Sequence, residues 1–171
     1  MTDKTGWWRS AAIYQVYIRS FADGNGDGVG DLAGVRARLD HLADLGIDAI
    51  WFTPWYPSPM DDGGYDVADF RDIEPLFGTL AEAEELIAEA HARGIRVIID
   101  IVPNHCSDEH RWFQAAVEAG PGSPERQRFW FRPGRGRAGT RIAAAPANPG
   151  PRRGRPGTSG ARRSSGWARC R

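Results

Sequence analysis

The sequence predicts an α/β fold in which strands alternate with helices. Three observations carry this. Three short β-branched and aromatic runs occur in the first 102 residues. Each is followed, directly or across a loop, by apolar residues at helical spacing. The polar and Gly-rich residues gather just after the ends of the apolar runs. Alternation of this kind argues for parallel strands with helices outside.

The first strand is Ile13-Tyr14-Gln15-Val16-Tyr17-Ile18, rich in β-formers. It runs into Asp23 to Asp31, a loop by its glycine content. Leu32, Val35, Leu39, Leu42 and Leu45 then recur at helical spacing, with Asp31 as N-cap and Gly46 as terminator. Ile47 to Phe52 is a second buried strand. Pro54, Pro57, Pro59 and Gly63-Gly64 force a long loop to about Gly78. Thr79-Leu80-Ala81-Glu82 matches a capping box, opening a helix that runs to Arg93 and stops at Gly94. Ile95 to Val102 is nearly all aliphatic, as in a strand covered on both faces, and Pro103 closes it. A last helix is predicted from about Asp108 to Ala119. The order β-α-β-α-β-α fits a doubly wound sheet or a (β/α)8 barrel. No G-x-G-x-x-G directly joins a strand to a helix, which disfavours nucleotide binding. About three βα units are present where a closed barrel needs eight.

Composition divides the chain at about residue 132. Lys+Arg and Asp+Glu both number 22, so the formal charge is zero. Yet residues 1–131 carry a balance of −11 and residues 132–171 a balance of +11. Arg, Gly, Pro and Ala fill 31 of the last 40 positions, too little apolar surface to offset chain entropy. The expected division is therefore 1–132 as the folding part and 133–171 as a low-complexity, disordered tail. Those four residue types can be encoded wholly by G and C, so a frameshift in GC-rich DNA is the leading account of the tail. A native basic tail that touches nucleic acid through phosphates is the rival, without sequence-specific recognition. No apolar run approaches the ~18 residues of a membrane span, and Met1 to Trp8 has no apolar leader core. Cys106 and Cys170 lie in different regions, against a disulfide or zinc scaffold. A cytoplasmic protein is the expectation.

Three constellations carry chemistry. In Asp23-x-Asn25-x-Asp27-Gly28-Val29-Gly30-Asp31, side-chain oxygens alternate around glycines. A hard cation, Ca²⁺ or Mg²⁺, wants such oxygens together with a backbone carbonyl, here that of Val29. An EF-hand is excluded, because the twelfth position is Gly34 rather than a bidentate Glu. A solvated Asx turn without an ion is the alternative. In Gly64-Tyr65-Asp66 the ring can stack on a sugar face and the carboxylate can accept from hydroxyls, although the same tripeptide suits an ordinary turn. In Asp100-Ile101-Val102-Pro103-Asn104-His105, an apolar strand delivers a carboxylate, an amide and an imidazole at its C-terminal end. A carboxylate there is costly unless hydrogen-bonded or used. His41, His91 and His110 read as solvated, and Cys106 beside His105 lacks the geometry of a nucleophile pair.

Taken together, the sequence resembles the start of the catalytic domain of glycoside hydrolase family 13, the α-amylase superfamily. It is nearest to the bacterial α-glucosidase and oligo-1,6-glucosidase branch. The carrying segments are Ala12 to Tyr17, Ser20-Phe21, the loop 23–31, Ile50-Trp51 with Pro54, Gly64 to Phe70, Phe77-Gly78-Thr79 and Asp100 to His105, over about residues 7–132. The resemblance implies the N-terminal portion, about three βα units, of a TIM (β/α)8 barrel. It implies hydrolysis of α-linked gluco-oligosaccharides with retention, through a nucleophilic carboxylate and a separate acid/base. It also implies that Tyr65 stacks under the sugar, Asp66 binds its hydroxyls and His105 its 6-hydroxyl, with Asp100 in support. Asp23, Asn25, Asp27, the Val29 carbonyl and Asp31 would hold a structural Ca²⁺ or Mg²⁺. The family's nucleophile, acid/base and third carboxylate follow later strands. Residues 132–171 contain no Asp or Glu that could replace them. The chain alone is therefore expected to be inactive. The alternatives are a trehalose synthase or another glucosyl transferase or isomerase of the superfamily, and a non-catalytic metal-binding fragment with a basic tail.

Overall fold

The computed structural model describes residues 6–132 in full and the backbone of 167–169. The expected tail, 133–171, lies outside the described residues except for those three. The described chain divides into two units, 6–57 with 70–101 and 58–69 with 102 onward.

In the first unit, β1 (Ile13–Val16) leads into a single helical turn, α1 (Ile18–Phe21). The Asp-rich loop follows, then α2 (Leu32–Arg36), α3 (Leu39–Asp44), β2 (Ala49–Phe52), α4 (Leu80–Ala92) and β3 (Arg96–Ile99). The strands form a parallel sheet in the order β1-β2-β3, with Tyr14 opposite Ile50 and Ile50 opposite Val97. Parallel neighbours need a crossover, and the helical segments supply it.

The caps fall where residue chemistry places them. Asp31 Oδ1 accepts from the Gly34 amide at 2.6 Å, capping α2. Thr79 Oγ1 accepts from Glu82 N, while Glu82 Oε2 accepts from Thr79 N at 2.7 Å, the reciprocal box that opens α4. Gly94 takes φ +78° just past α4, which a side chain would resist.

One predicted helix becomes two. The Arg38 amide bonds Val35 rather than Gly34, so the ladder tightens to 3₁₀ spacing between α2 and α3. Gly34 sits where a Cβ would strike the Ala22 carbonyl oxygen. Close packing demands glycine there, and glycine weakens the helix by about 1 kcal/mol relative to alanine.

The core of this unit is Val16, Ile18, Leu32, Val35, Leu39, Leu42, Ile50, Phe52, Leu86 and Ile95. Arg36 joins α2 to α4 through Glu85 and Glu89, and Arg93 reaches Asp40 of α3 at 2.6 Å. The third strand is less covered than its composition predicts: Val97, Ile98 and Ile99 are half-buried and Ile101 is exposed. β3 is an edge of the described sheet, so it has one strand neighbour there.

The second unit contains β4 (His105–Ser107), α5 (Arg111–Ala119), a 3₁₀ turn at Arg126–Arg128 and β5 (Trp167–Arg169). β4 and β5 pair antiparallel. Phe113 of α5 stacks with Phe131 and meets Phe129 edge-on, and the Arg126 guanidinium lies 3.6 Å from the Phe131 ring centroid. α5 begins three residues later than predicted, because His110 is its cap. No helix among the described residues is long and apolar enough to cross a membrane.

Candidate functional site

In the second unit the chain folds the residues after β2 against β4. The Ser107 amide donates to the Val67 carbonyl at 2.8 Å, fixing the 58–69 segment beside the strand that carries His105. His105 Nε2 then lies 3.1 Å from the Tyr65 carbonyl oxygen, and Nδ1 lies 2.7 Å from Asn104 Oδ1. Tyr65 and His105, 40 residues apart, are thereby joined, and both are half-buried.

Asp66 is buried, at 2% exposure. Its Oδ1 accepts from the Ser58 hydroxyl at 2.6 Å and from the Asp62 amide at 3.4 Å, and its Oδ2 accepts from the Asp61 amide at 2.9 Å. The carboxylate is thus engaged by its own loop. Asp62, like Asp61, is an exposed carboxylate of this loop, and the sequence pattern did not single it out. Desolvation raises its pKa first and the Asp66 charge raises it further, while His105 opposes both. Asp108 is also pushed up, chiefly by burial, with Asp61 and Asp66 adding. The readable signal for Asp62 is the Asp61-Asp62 pair just before Gly-Gly-Tyr, a cluster of acids next to an aromatic.

Asp100 belongs to the first unit, where it ends β3. Its amide continues the ladder to Phe52, and its Oδ1 accepts from the Trp51 indole N–H at 2.8 Å. The carboxylate that terminates an apolar strand is therefore hydrogen-bonded. The Tyr56 hydroxyl donates to the Asp100 carbonyl at 3.3 Å, and burial followed by the Asp100 charge pushes the Tyr56 phenol up.

The Asp-rich loop is held by its own side chains. Asp23 accepts from the amides of Asn25, Gly26 and Gly28, and those of Gly28 and Gly26 chiefly hold its carboxyl below the usual range. Asn25 Oδ1 accepts from Asp27 N, and Asp27 Oδ1 from Val29 N. Asp31 is buried, and its Oδ1 serves the Gly24 and Gly34 amides. The donor set is all oxygen, which suits a hard cation. Among the described residues no three His, Cys, Asp or Glu side chains gather to hold a metal by themselves. An ion would therefore also need Asn25 and the Val29 carbonyl.

His110 departs from its reading as a solvated residue. It is buried at 4% exposure, and its Nδ1 accepts from the Trp112 amide at 3.1 Å as the cap of α5. The residue before a helix offers an acceptor to unpaired amides, and a neutral imidazole supplies one. His41 and His91 are exposed, as predicted.

The sequence pattern described as the alpha amylase catalytic domain matches residues 15–156. The chain belongs to the α-amylase family. Its described part is the N-terminal portion of that family's barrel, with an unclosed sheet. Among α-amylase-family relatives, it is 56% identical over 126 residues to the glucan 1,6-alpha-glucosidase of Streptococcus pneumoniae, covering 74% of this chain and 23% of that protein. It is 48% identical over 129 residues to the oligo-1,6-glucosidase of Parageobacillus thermoglucosidasius, covering 75% and 23%. The crystal structure of Bacillus licheniformis trehalose-6-phosphate hydrolase superposes with a TM-score of 0.71 at 46% identity, covering 74% and 23%. The chain thus spans about a quarter of the length of these relatives.

Proposed function

We propose that this chain supplies the sugar-binding and ion-binding strand ends of a retaining α-glucosidase acting on α-linked gluco-oligosaccharides. The observation that carries this is the His105–Tyr65 junction. It ties the His105 imidazole to the backbone of Tyr65, on the loop that also carries the exposed carboxylate Asp62. Tyr65 offers its face to the apolar side of a glucosyl ring. His105 and Asp62 offer a donor and acceptors to hydroxyls. The buried Asp66 carboxylate holds the loop on which Tyr65 and Asp62 sit. Asp100, oriented by Trp51, supports the end of the third strand. The similarity to a glucan 1,6-alpha-glucosidase and an oligo-1,6-glucosidase supports α-glucosides as the substrate class.

Retention requires two carboxylates about 5 Å apart, one to attack and one to protonate the leaving oxygen. The resemblance places neither of them in these 171 residues. The residues present bind and orient the sugar, and bond cleavage belongs to groups outside this chain. Asp23, Asn25, Asp27, Asp31 and the Val29 carbonyl would hold Ca²⁺ or Mg²⁺. Such an ion would cross-link the loop between α1 and α2 and has no chemical role in cleavage.

The test is titration of the purified chain with methyl α-D-glucopyranoside and isomaltose, followed by NMR. Saturable shifts at Tyr65 and His105 are expected, with no release of nitrophenol from p-nitrophenyl α-glucoside. The absence of sugar-induced shifts overturns the binding reading, and turnover by the chain alone overturns the division of labour.

A further inference from the structure

We infer that the edge of β4 facing away from Val67 is a docking surface for an extended, arginine-rich strand, and that its occupant is the chain's own C-terminal segment, Trp167–Arg169. The backbone carries this. β4 and β5 pair antiparallel, with His105 opposite Arg169, Cys106 opposite Ala168 and Ser107 opposite Trp167. The Ser107 amide is committed elsewhere, donating to the Val67 carbonyl at 2.8 Å. Opposed residues in an antiparallel ladder alternate between bonded and non-bonded pairs, and successive amides point to opposite sides. Cys106 therefore turns its amide toward β5, and Cys106 with Ala168 is the bonded pair. β4 thus lies between the Val67 segment on one side and the C-terminal strand on the other. This pairing stands independently of sugar binding.

A strand edge without a partner is a template for any extended chain. Charge decides which chain fits. Asp61 and Asp62 are exposed on the segment beside β4, and Asp108 follows β4 directly. These acids lie within electrostatic reach of one another. Burial and then the Asp66 charge push the Asp62 carboxyl up, and burial and then Asp61 and Asp66 push up that of Asp108. Residues 132–171 carry 11 Arg and no Asp or Glu. Opposite charge draws such a segment to an acidic edge and disfavours an acidic strand there. The connection, residues 133–166, is long enough to bring residue 167 back, since even a flexible chain of that length spans about 30 Å. The pairing belongs to the polypeptide however its tail arose.

Amide exchange by NMR on the full chain and its Ala168→Pro and Arg169→Pro variants tests this. Proline at 168 removes the donor that faces Cys106, whereas proline at 169 removes one that faces away from β4. Exchange at the Cys106 amide is expected to rise about tenfold or more in Ala168→Pro. It should stay near the wild-type rate in Arg169→Pro, with α4 unchanged in both. A fluorescein-labelled peptide of residues 160–171 should bind Ala168→Pro saturably, and bind the wild type, whose edge is filled, about tenfold more weakly. Unchanged exchange at Cys106 in Ala168→Pro overturns the proposal, and so does a peptide that binds both chains equally. If Ala168→Pro loosens α4 as well, salt on the wild type decides. At 1 M NaCl charges are screened beyond about 3 Å. Faster exchange at Cys106 there, with α4 unchanged, supports the arginine-rich occupant, and unchanged exchange overturns it. Light scattering should give a monomer. A dimer that dissociates in Ala168→Pro would place the strand on a second copy and overturn its seating within one chain.

Discussion

The Nε2 atom of His105 lies 3.1 Å from the backbone carbonyl oxygen of Tyr65. A carbonyl only accepts, so Nε2 carries the proton and donates. This bond ties the loop after the second strand to the segment after the third. His105→Ala removes it, together with one group of the proposed sugar site. A hydrogen bond of this kind contributes about 1 kcal/mol. Affinity for methyl α-D-glucopyranoside is expected to fall about tenfold, equivalent to about 1.4 kcal/mol. An affinity within twofold of the wild type in an NMR titration contradicts this.

His110 makes the stability of the second unit depend on pH. Burial, followed by the Arg111 charge, pushes its pKa below the usual value, and Asp69 only partly opposes this. The folded state therefore prefers the neutral ring, whose Nδ1 caps α5. That contribution is complete above the ordinary His pKa of about 6.5 and is lost as pH falls below it. The melting temperature is expected to drop between about pH 6.5 and 5 more steeply in the wild type than in His110→Asn, which caps without titrating. Parallel curves sink the assignment.

Trp51→Phe keeps the ring but removes the donor to Asp100. A half-buried carboxylate that loses a hydrogen bond costs about 1–3 kcal/mol. Urea unfolding should show a lower midpoint for Trp51→Phe. Asp100→Asn should be milder, since its amide oxygen still accepts from the indole. The reverse order would show that the pair does not act through this bond.

The Asp-rich loop predicts stabilisation by calcium. An ion bound only by the folded chain adds about 2.7 kcal/mol at a hundred times its dissociation constant. Millimolar Ca²⁺ should raise the melting temperature of the wild type, and Asp27→Ala should abolish the response. Melting that is the same in Ca²⁺ and in EDTA removes the ion from the proposal.

Thr79→Ala removes the Oγ1 half of the α4 capping box and leaves the backbone amide of residue 79 to donate to Glu82 Oε2. Loss of about 1 kcal/mol is expected, with Thr79→Ser close to the wild type. Calorimetry or urea unfolding reads it directly, and a Thr79→Ala variant as stable as the parent would show that the box is solvated without net effect.

Much of the fold was legible because its signals are local. The three strands, the Asp31 cap, the Thr79–Glu82 box and the stop at Gly94 each depend on residues within one turn of one another. So did the identity of the oxygen-rich loop and of the Tyr65 and His105 segments. What could not be read depends on distance. Nothing near residue 34 announces that its neighbour is the Ala22 carbonyl, so the break between α2 and α3 was invisible. His110 looks like any surface histidine until α5 and its surroundings bury it. Asp66 stands beside Tyr65 in the sequence, but only the structure shows that the backbone folds Ser58, Asp61 and Asp62 onto it and leaves Asp61 and Asp62 exposed. The sequence by itself determined the family, the parallel α/β order and the residue types at the strand ends, because spacing and capping are properties of neighbouring residues. Only the tertiary structure decided which carboxylate is buried and which is presented, because a carboxylate's availability depends on donors brought to it by chain reversal.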